Sequence, residues 1–203
     1  MLLQLDNITK SFGAHRVLDG ISFTADAGEV VGILGANGAG KTTLLRIVTR
    51  ILMPDSGQVL FDGHPLGQDD LGAIGYLPEE RGLYRRMAAR DQVCYLARLK
   101  GLSRREAEAS ADEWFSRLGA TEWCRRPLLR LSKGMQQKVQ FIATVVHQPR
   151  LLILDEPFSG FDRDNAELLR REIQRLSADG TAILLSTHNH EAAHDLCTKT
   201  VQL

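Results

Sequence analysis

The segment Gly35-Ala36-Asn37-Gly38-Ala39-Gly40-Lys41-Thr42 limits this chain more than any other stretch. It fits the pattern of a glycine, four residues and Gly-Lys-Thr, and it follows the apolar run Val30-Val31-Gly32-Ile33-Leu34. The run reads as a buried strand that ends in a glycine-rich turn. A helix is expected to follow from Lys41 to about Leu52, ahead of Pro54. Glycine lets a backbone approach a ligand closely and adopt dihedrals that side chains resist. Several N–H donors can then converge on a triphosphate tail, and the helix directs its positive end at the same place. In this reading Gly35, Asn37, Gly38, Ala39 and Gly40 form the cradle. Lys41 supplies a full charge to the β and γ groups, the Thr42 hydroxyl holds Mg²⁺, and Thr43 can add a donor to the α-phosphate.

A second pattern answers the first. Leu151-Leu152-Ile153-Leu154 is an apolar strand that delivers Asp155 and Glu156 at its C-terminal end, where ligands bind in open α/β sheets. Adjacent strand residues point to opposite sides. Asp155 therefore suits a metal role, and Glu156 suits a general base that polarises the attacking water.

The remaining pattern alternates strands and helices, which implies a parallel sheet wrapped by helices. Val59-Leu60-Phe61, Ile74 to Leu77 and Ala182 to Ser186 read as strands, and Pro54-Asp55-Ser56-Gly57 as a turn. Ser103-Arg104-Arg105-Glu106 is a capping box. The helix it opens runs toward Gly119, with Trp114, Phe115 and Leu118 on one side. Another helix should start near Ser132 with Val139, Ile142, Ala143 and Val146 as its apolar stripe. An amphipathic helix through Leu168, Leu169, Ile173 and Leu176 should stop at Gly180. The helical middle reads as an insertion.

Over 203 residues the charges balance at zero, yet Glu79 to Arg150 carries 15 Lys/Arg against 8 Asp/Glu. Solvated helix faces explain that balance, and so does a surface that meets an acidic partner or an anionic leaflet. Nucleic acid would suit the charge, but no basic motif interleaved with aromatics supports it. Cys94, Cys124 and Cys197 form no C-x-x-C pair, which excludes a disulfide-stapled fold and fits a reducing compartment. The first residues lack a basic n-region and a long apolar h-region, so no signal peptide is expected. No aliphatic run is long enough to span a bilayer, so work at a membrane would require a partner.

Between the two acidic and basic sites stands Leu131-Ser132-Lys133-Gly134-Met135-Gln136-Gln137, which resembles the signature motif of ABC-type ATPases, usually L-S-G-G-Q. Phe12 occupies the place of that family's adenine-stacking aromatic, although it would also serve as core. Ser159-Gly160-Phe161-Asp162 resembles the D-loop, and Ser186-Thr187-His188 the switch-histidine loop. The motifs fall in the family's order over essentially the whole chain. Gly75 to Tyr84, with the S-K-G-M-Q-Q-K form of the signature, is similar to ATP-binding subunits of type-2 exporters, the branch with sodium-extrusion and natural-product-resistance systems.

The resemblance implies an α/β P-loop NTPase with a mostly parallel RecA-like sheet, an N-terminal antiparallel β subdomain and an inserted α-helical subdomain. Residues 1–78 and 149–203 would form the core with the β subdomain, and 79–148 the insertion. It implies ATP hydrolysis with Mg²⁺, a separate membrane permease driven in the export direction, and a cytoplasmic place on the inner face of the membrane. A second ATP-binding subunit, identical or not, would face Ser132 and Gly134 across the γ-phosphate, and no nucleic acid partner is implied. His188 would contact the γ-phosphate from within its own chain. A nucleotide-dependent binding module or a soluble ABC ATPase of low turnover is the alternative.

The sequence departs from the family in three places. Glu79 stands where the Q-loop has a glutamine that reaches the metal, Lys133 and Met135 replace Gly and Gln in the signature, and family members usually continue beyond the equivalent of Leu203 with more strands. His15, His64 and His147 show no partner spacing and read as structural or surface residues. His190-Glu191-Ala192-Ala193-His194 matches H-E-x-x-H, but a catalytic zinc needs a third protein ligand, and Asp195 and Cys197 are too close to wrap round. Tight zinc binding is not expected there.

Overall fold

The computed structural model describes residues 1–80, 82–188 and 195–203. Among them the strands in chain order are β1 (Leu3–Phe12), β2 (His15–Ala25), β3 (Val30–Leu34), β4 (Ser56–Phe61), β5 (His64–Pro65), β6 (Ile74–Leu77), β7 (Leu151–Asp155), β8 (Ala182–Thr187) and β9 (Lys199–Gln202). The α-helices are α1 (Lys41–Val48), α2 (Ala89–Leu99), α3 (Arg104–Arg117), α4 (Lys133–Val145) and α5 (Arg163–Ala178).

The described strands form two sheets. One has the order β2-β1-β4-β5 and is antiparallel. The other runs β6-β7-β8-β3-β9, and each of its neighbouring pairs is parallel. The chain forms a parallel sheet because β3, β7 and β8 are apolar on both faces and bury every residue. Their side chains alternate between two cores. Val30, Leu152, Leu154, Ile183 and Leu185 point to the side covered by the Trp114, Phe115, Phe141 and Ile173 of the helices. Val31, Ile33, Leu151, Ile153 and Leu184 point to the side that holds α1 and the antiparallel sheet. The fold therefore has a central sheet with one core on each face, and α2, α3 and α4 enter between β6 and β7.

Local chemistry fixes the helix starts. Ser103 Oγ accepts from Glu106 N at 3.3 Å while Glu106 Oε2 accepts from Ser103 N at 2.8 Å, so the expected capping box is present. Asp162 caps α5 through Asn165 N at 2.8 Å.

Two local expectations change. The helix after the cradle ends at Val48 rather than near Leu52. Arg50 takes a left-handed φ of 58° and its guanidinium donates to the Leu66 carbonyl, so a tertiary anchor stops the helix before any sequence breaker does. The turn shrinks to Pro54-Asp55, because Ser56 and Gly57 already belong to β4. At Gly57, with φ 87°, an added Cβ would lie 2.4 Å from the Asn7 carbonyl oxygen. Only glycine allows β1 and β4 to pair that closely.

Candidate active site

β3 delivers the chain to the glycine turn, and α1 leaves it. Gly40 sits at the helix N-cap with φ 103°, and a Cβ there would lie 2.8 Å from Val17 Cγ1. Helix α1 has no side-chain cap and no acidic residue in its first turn. Its N-terminal N–H groups and partial positive charge are therefore left for an external anion. Lys41 is buried, and its Nζ donates to the carbonyls of Gly35 at 2.8 Å and Ala36 at 3.2 Å. The ammonium is pinned across the mouth of the turn.

The carboxylates at the end of β7 are in two different settings. Asp155 is buried, and its Oδ1 accepts from Ser186 Oγ at 2.5 Å. Its Oδ2 is buried with no hydrogen-bond partner among the described residues. A half-satisfied buried carboxylate is costly unless a cation completes it. Glu156 has a left-handed φ of 47°, and its N–H donates to Ser186 Oγ at 3.0 Å. Its Oε1 lies 3.0 Å from His188 Nδ1 and 3.6 Å from Lys41 Nζ. The Ser186 hydroxyl, donating to one residue and accepting from the next, orients both acids.

These groups surround one cleft of about 460 Å³. Of the residues expected from sequence, Phe12, Asn37, Gly38, Gly40, Lys41, Thr42, Thr43, Glu79, Asp155, Glu156 and His188 line it. Gly35 and Ala39 belong to the same turn without lining the wall, and Ser132 and Gly134 lie outside it. Sequence reasoning missed His15 and Val17, which also face the cleft, as does Ser159 of the segment that resembles the D-loop. The signal for His15 was the Gly13-Ala14 hairpin tip, which pairs it directly with Phe12. An anion-binding turn, an open carboxylate oxygen and a helix-start threonine together fit a Mg²⁺-bearing triphosphate.

The family model described as "ABC transporter" matches residues 18–159. The chain belongs to that family. The ABC transporter ATP-binding protein YhaQ of Bacillus subtilis (strain 168) is 45% identical over 196 residues, covering 97% of this chain and 66% of that protein. This chain thus spans just under two thirds of that relative's length. The linearmycin resistance ATP-binding protein LnrL of the same organism is 31% identical over 201 residues, covering 98% of this chain and 65% of that protein. A solved structure described as the ATP-binding subunit of an ABC transporter superposes with a TM-score of 0.92 at 30% identity, covering all of this chain and 86% of that one. The chain is accordingly an ABC ATP-binding subunit with relatives in resistance systems, and its fold is that of the family's P-loop ATPase domain.

Within this ABC framework Ser132 is the N-cap of α4, accepting from Met135 N at 3.3 Å, and α4 has no acidic residue in its first turn. Unlike α1, the helix has a side-chain cap, and with no acidic residue in its first turn its positive end meets no compensating charge there. Gln137 of the signature segment donates to the Ser159 carbonyl, which joins the signature helix to the loop before α5.

A larger cavity, about 650 Å³, lies beyond the segment that follows β6, with Pro78 and Gly82 on its wall and Leu83, Leu96, Leu99 and Ala143 among its apolar surfaces. His147 and Lys100 also line it. Burial, with help from the Lys100 charge, lowers the His147 imidazole to about 4, and burial also lowers the Lys100 ammonium.

His190, Glu191 and His194 of the H-E-x-x-H match lie outside the described residues. Among the described residues no group of three His, Cys, Asp or Glu is placed to hold a metal, and no helix is long and apolar enough to cross a membrane.

Proposed function

We propose that the chain binds ATP with Mg²⁺ in the 460 Å³ cleft and hydrolyses it to power a separate membrane permease, in the direction of export. One observation carries the reading. The Glu156 carboxylate stands within 3.0 Å of His188 and 3.6 Å of Lys41, next to the open oxygen of Asp155. A base, a phosphate-binding cation and a metal ligand thus converge where the glycine turn receives the phosphates.

Phe12 would stack on adenine, and Lys41 with the α1 N-terminus would hold the β- and γ-phosphates. Thr42, Asp155 and Glu79 would face Mg²⁺, which when bound neutralises phosphate charge. Glu156 would orient and deprotonate the attacking water, with His188 fixing its carboxylate and reaching the γ-phosphate. Ser132 and Gly134 lie outside this wall, and the first turn of their helix carries no acidic residue. Both features support a site completed by the signature helix of a second ATP-binding subunit, identical or not. Residues 79–148 would move as a helical unit beside the core of residues 1–78 and 149–203.

The 650 Å³ groove and the exposed Arg85 and Arg86 at the start of that unit offer the permease a docking surface, on the cytoplasmic face of the membrane. The export direction follows the resistance function in the name of LnrL. No nucleic acid partner is proposed.

Steady-state ATP hydrolysis with and without membranes that hold the permease tests the motor reading. Mixing Lys41→Ala with Ser132→Arg tests the shared site, since one of the two composite sites in the mixed dimer is intact. Partial return of activity is expected, and a mixture that stays dead rules out sharing.

A further inference from the structure

Strand β6 is an edge strand, paired only with β7 among the described strands. Its other edge leaves carbonyls that need donors, since a buried unpaired carbonyl is costly. Side chains of the inserted helices supply them. Gln140 Nε2 donates to the carbonyls of Pro78 at 3.1 Å and Glu80 at 3.2 Å. Thr144 Oγ1, whose hydrogen also faces the Gln140 carbonyl at 2.9 Å, lies 3.4 Å from the Tyr76 carbonyl. At the far end His147 Nε2 lies 3.3 Å from the Ile74 carbonyl, which also accepts from Lys100 Nζ at 2.9 Å. Gln140 and Thr144 stand one turn apart on α4 and His147 lies in the turn just after it, so this side of α4 and its C-terminal turn meet the alternating carbonyls of an extended strand.

The Gln140 end of this seam has a special position. Its two acceptors flank Glu79, the residue that lines the nucleotide cleft. A primary amide has two hydrogens on one nitrogen, so one side chain can hold both carbonyls at once. Gln140 is itself buried. It lies two turns along the helix that Ser132 opens, about 12 Å from that N-cap at 1.5 Å per residue.

We propose that Gln140 is a positioning residue for hydrolysis: its carboxamide holds Glu79 at the cleft wall and makes Glu79 follow the signature helix. The proposal rests on the ATPase reading above. Any shift of α4 toward or away from a partner subunit's nucleotide would be passed to Glu79 through two hydrogen bonds. Glu79 would then act in its own cleft only when α4 is in place.

The test is a double-mutant cycle in the full chain, with Gln140→Met, Glu79→Ala and the double variant. Gln140→Met keeps the length of the side chain and removes both donors. Each single variant should lower kcat by about tenfold to a hundredfold, the scale expected for a misplaced group. KM and the affinity for a fluorescent ATP analogue should stay within about twofold. The double variant should be no slower than the slower single one, because both changes remove one linked function. Losses that multiply would overturn the proposal, as would a parental kcat in either single variant or a KM that rises by the same factor as kcat falls. If Gln140→Met does not fold by circular dichroism, Gln140→Glu keeps the shape without the amide donors and takes its place in the cycle. A parent without turnover overturns the ATPase reading and this role with it.

Discussion

The cleft around Lys41 and the groove around His147 meet at one short segment, with Glu79 facing the first and Pro78 and Gly82 the second. They are built in different ways. The cleft is made mostly of residues close in sequence, the glycine turn and the end of β7, and its polar groups are aimed at a ligand. The groove is the larger of the two, and its walls come from β6, α2 and α4. Several of its polar side chains are spent on the protein's own backbone, as Lys100 shows by donating to Leu71 at 2.6 Å and Ile74 at 2.9 Å, although the buried His147 Nδ1 has no partner among the described residues. Cavity size thus does not mark the chemistry here; the orientation of the unsatisfied groups does.

If that contrast holds, substitutions on the cleft side should change rate and affinity while substitutions on the groove side change stability. The largest effect is expected at Glu156→Gln, with hydrolysis reduced by about 100- to 10,000-fold and ATP binding retained. Turnover above half the parent's would remove Glu156 from the base role. Next is Trp114→Ala on the insertion side. Trp114 is buried, meets Phe141 edge-to-face at 5.9 Å, and lies under the guanidinium groups of Arg117 and Arg175 at 5.5 and 5.3 Å. Its loss should cost about 3–5 kcal/mol in chemical denaturation with nucleotide affinity kept at low temperature; a cost near zero would mean the helical core does not depend on this ring.

The His147 imidazole sharpens the comparison further. The folded protein takes up its proton only near 4, while the unfolded chain does so near 6.5. The unfolded state therefore binds more protons in that window. Stability is complete above about pH 6.5 and declines toward pH 4, by up to about 3 kcal/mol from this residue. Urea unfolding of the parent and His147→Gln at neutral pH and at about pH 4.5 should show the steeper decline in the parent, and equal declines would refute the assignment. The smallest effect is expected at Phe12→Ala, where an exposed ring on the cleft rim should contribute about 1–3 kcal/mol through stacking on the base. Unchanged affinity for ATP by calorimetry would return Phe12 to a purely structural place.

The difference in construction also explains what the sequence could reveal. That Lys41, Thr42, Asp155 and Glu156 share one cleft was legible because each is marked by neighbours within a few residues or by one strand end. The two-sided burial of β3, β7 and β8 was legible for the same reason. The capping box at Ser103 and Glu106 is a four-residue device, and it stands as read. His15 was not legible as a cleft residue, since its position depends on a hairpin register. Nor was the early end of α1, which depends on Arg50 reaching Leu66 across the fold. The seam of Gln140, Thr144 and His147 was not read from the sequence, which offered the apolar stripe of that helix and took His147 as a structural or surface residue. Its partners lie 60 or more residues away, and no local pattern announces them.

The left-handed backbone of Glu156 has a consequence for how this protein can change. A side chain other than glycine at φ 47° is held in a sparsely populated region at a cost of order 1–3 kcal/mol. Ser186 offsets part of it by accepting the Glu156 N–H through both its hydroxyl and its carbonyl oxygen, at 3.0 and 3.3 Å. Glycine at this position would relieve the strain and lose the carboxylate. A selection for thermal tolerance alone would therefore favour Glu156→Gly, and variants that survive heat best should include ones that no longer turn over. The fold is less stable at this point than it could be, and its persistence there depends on selection for activity.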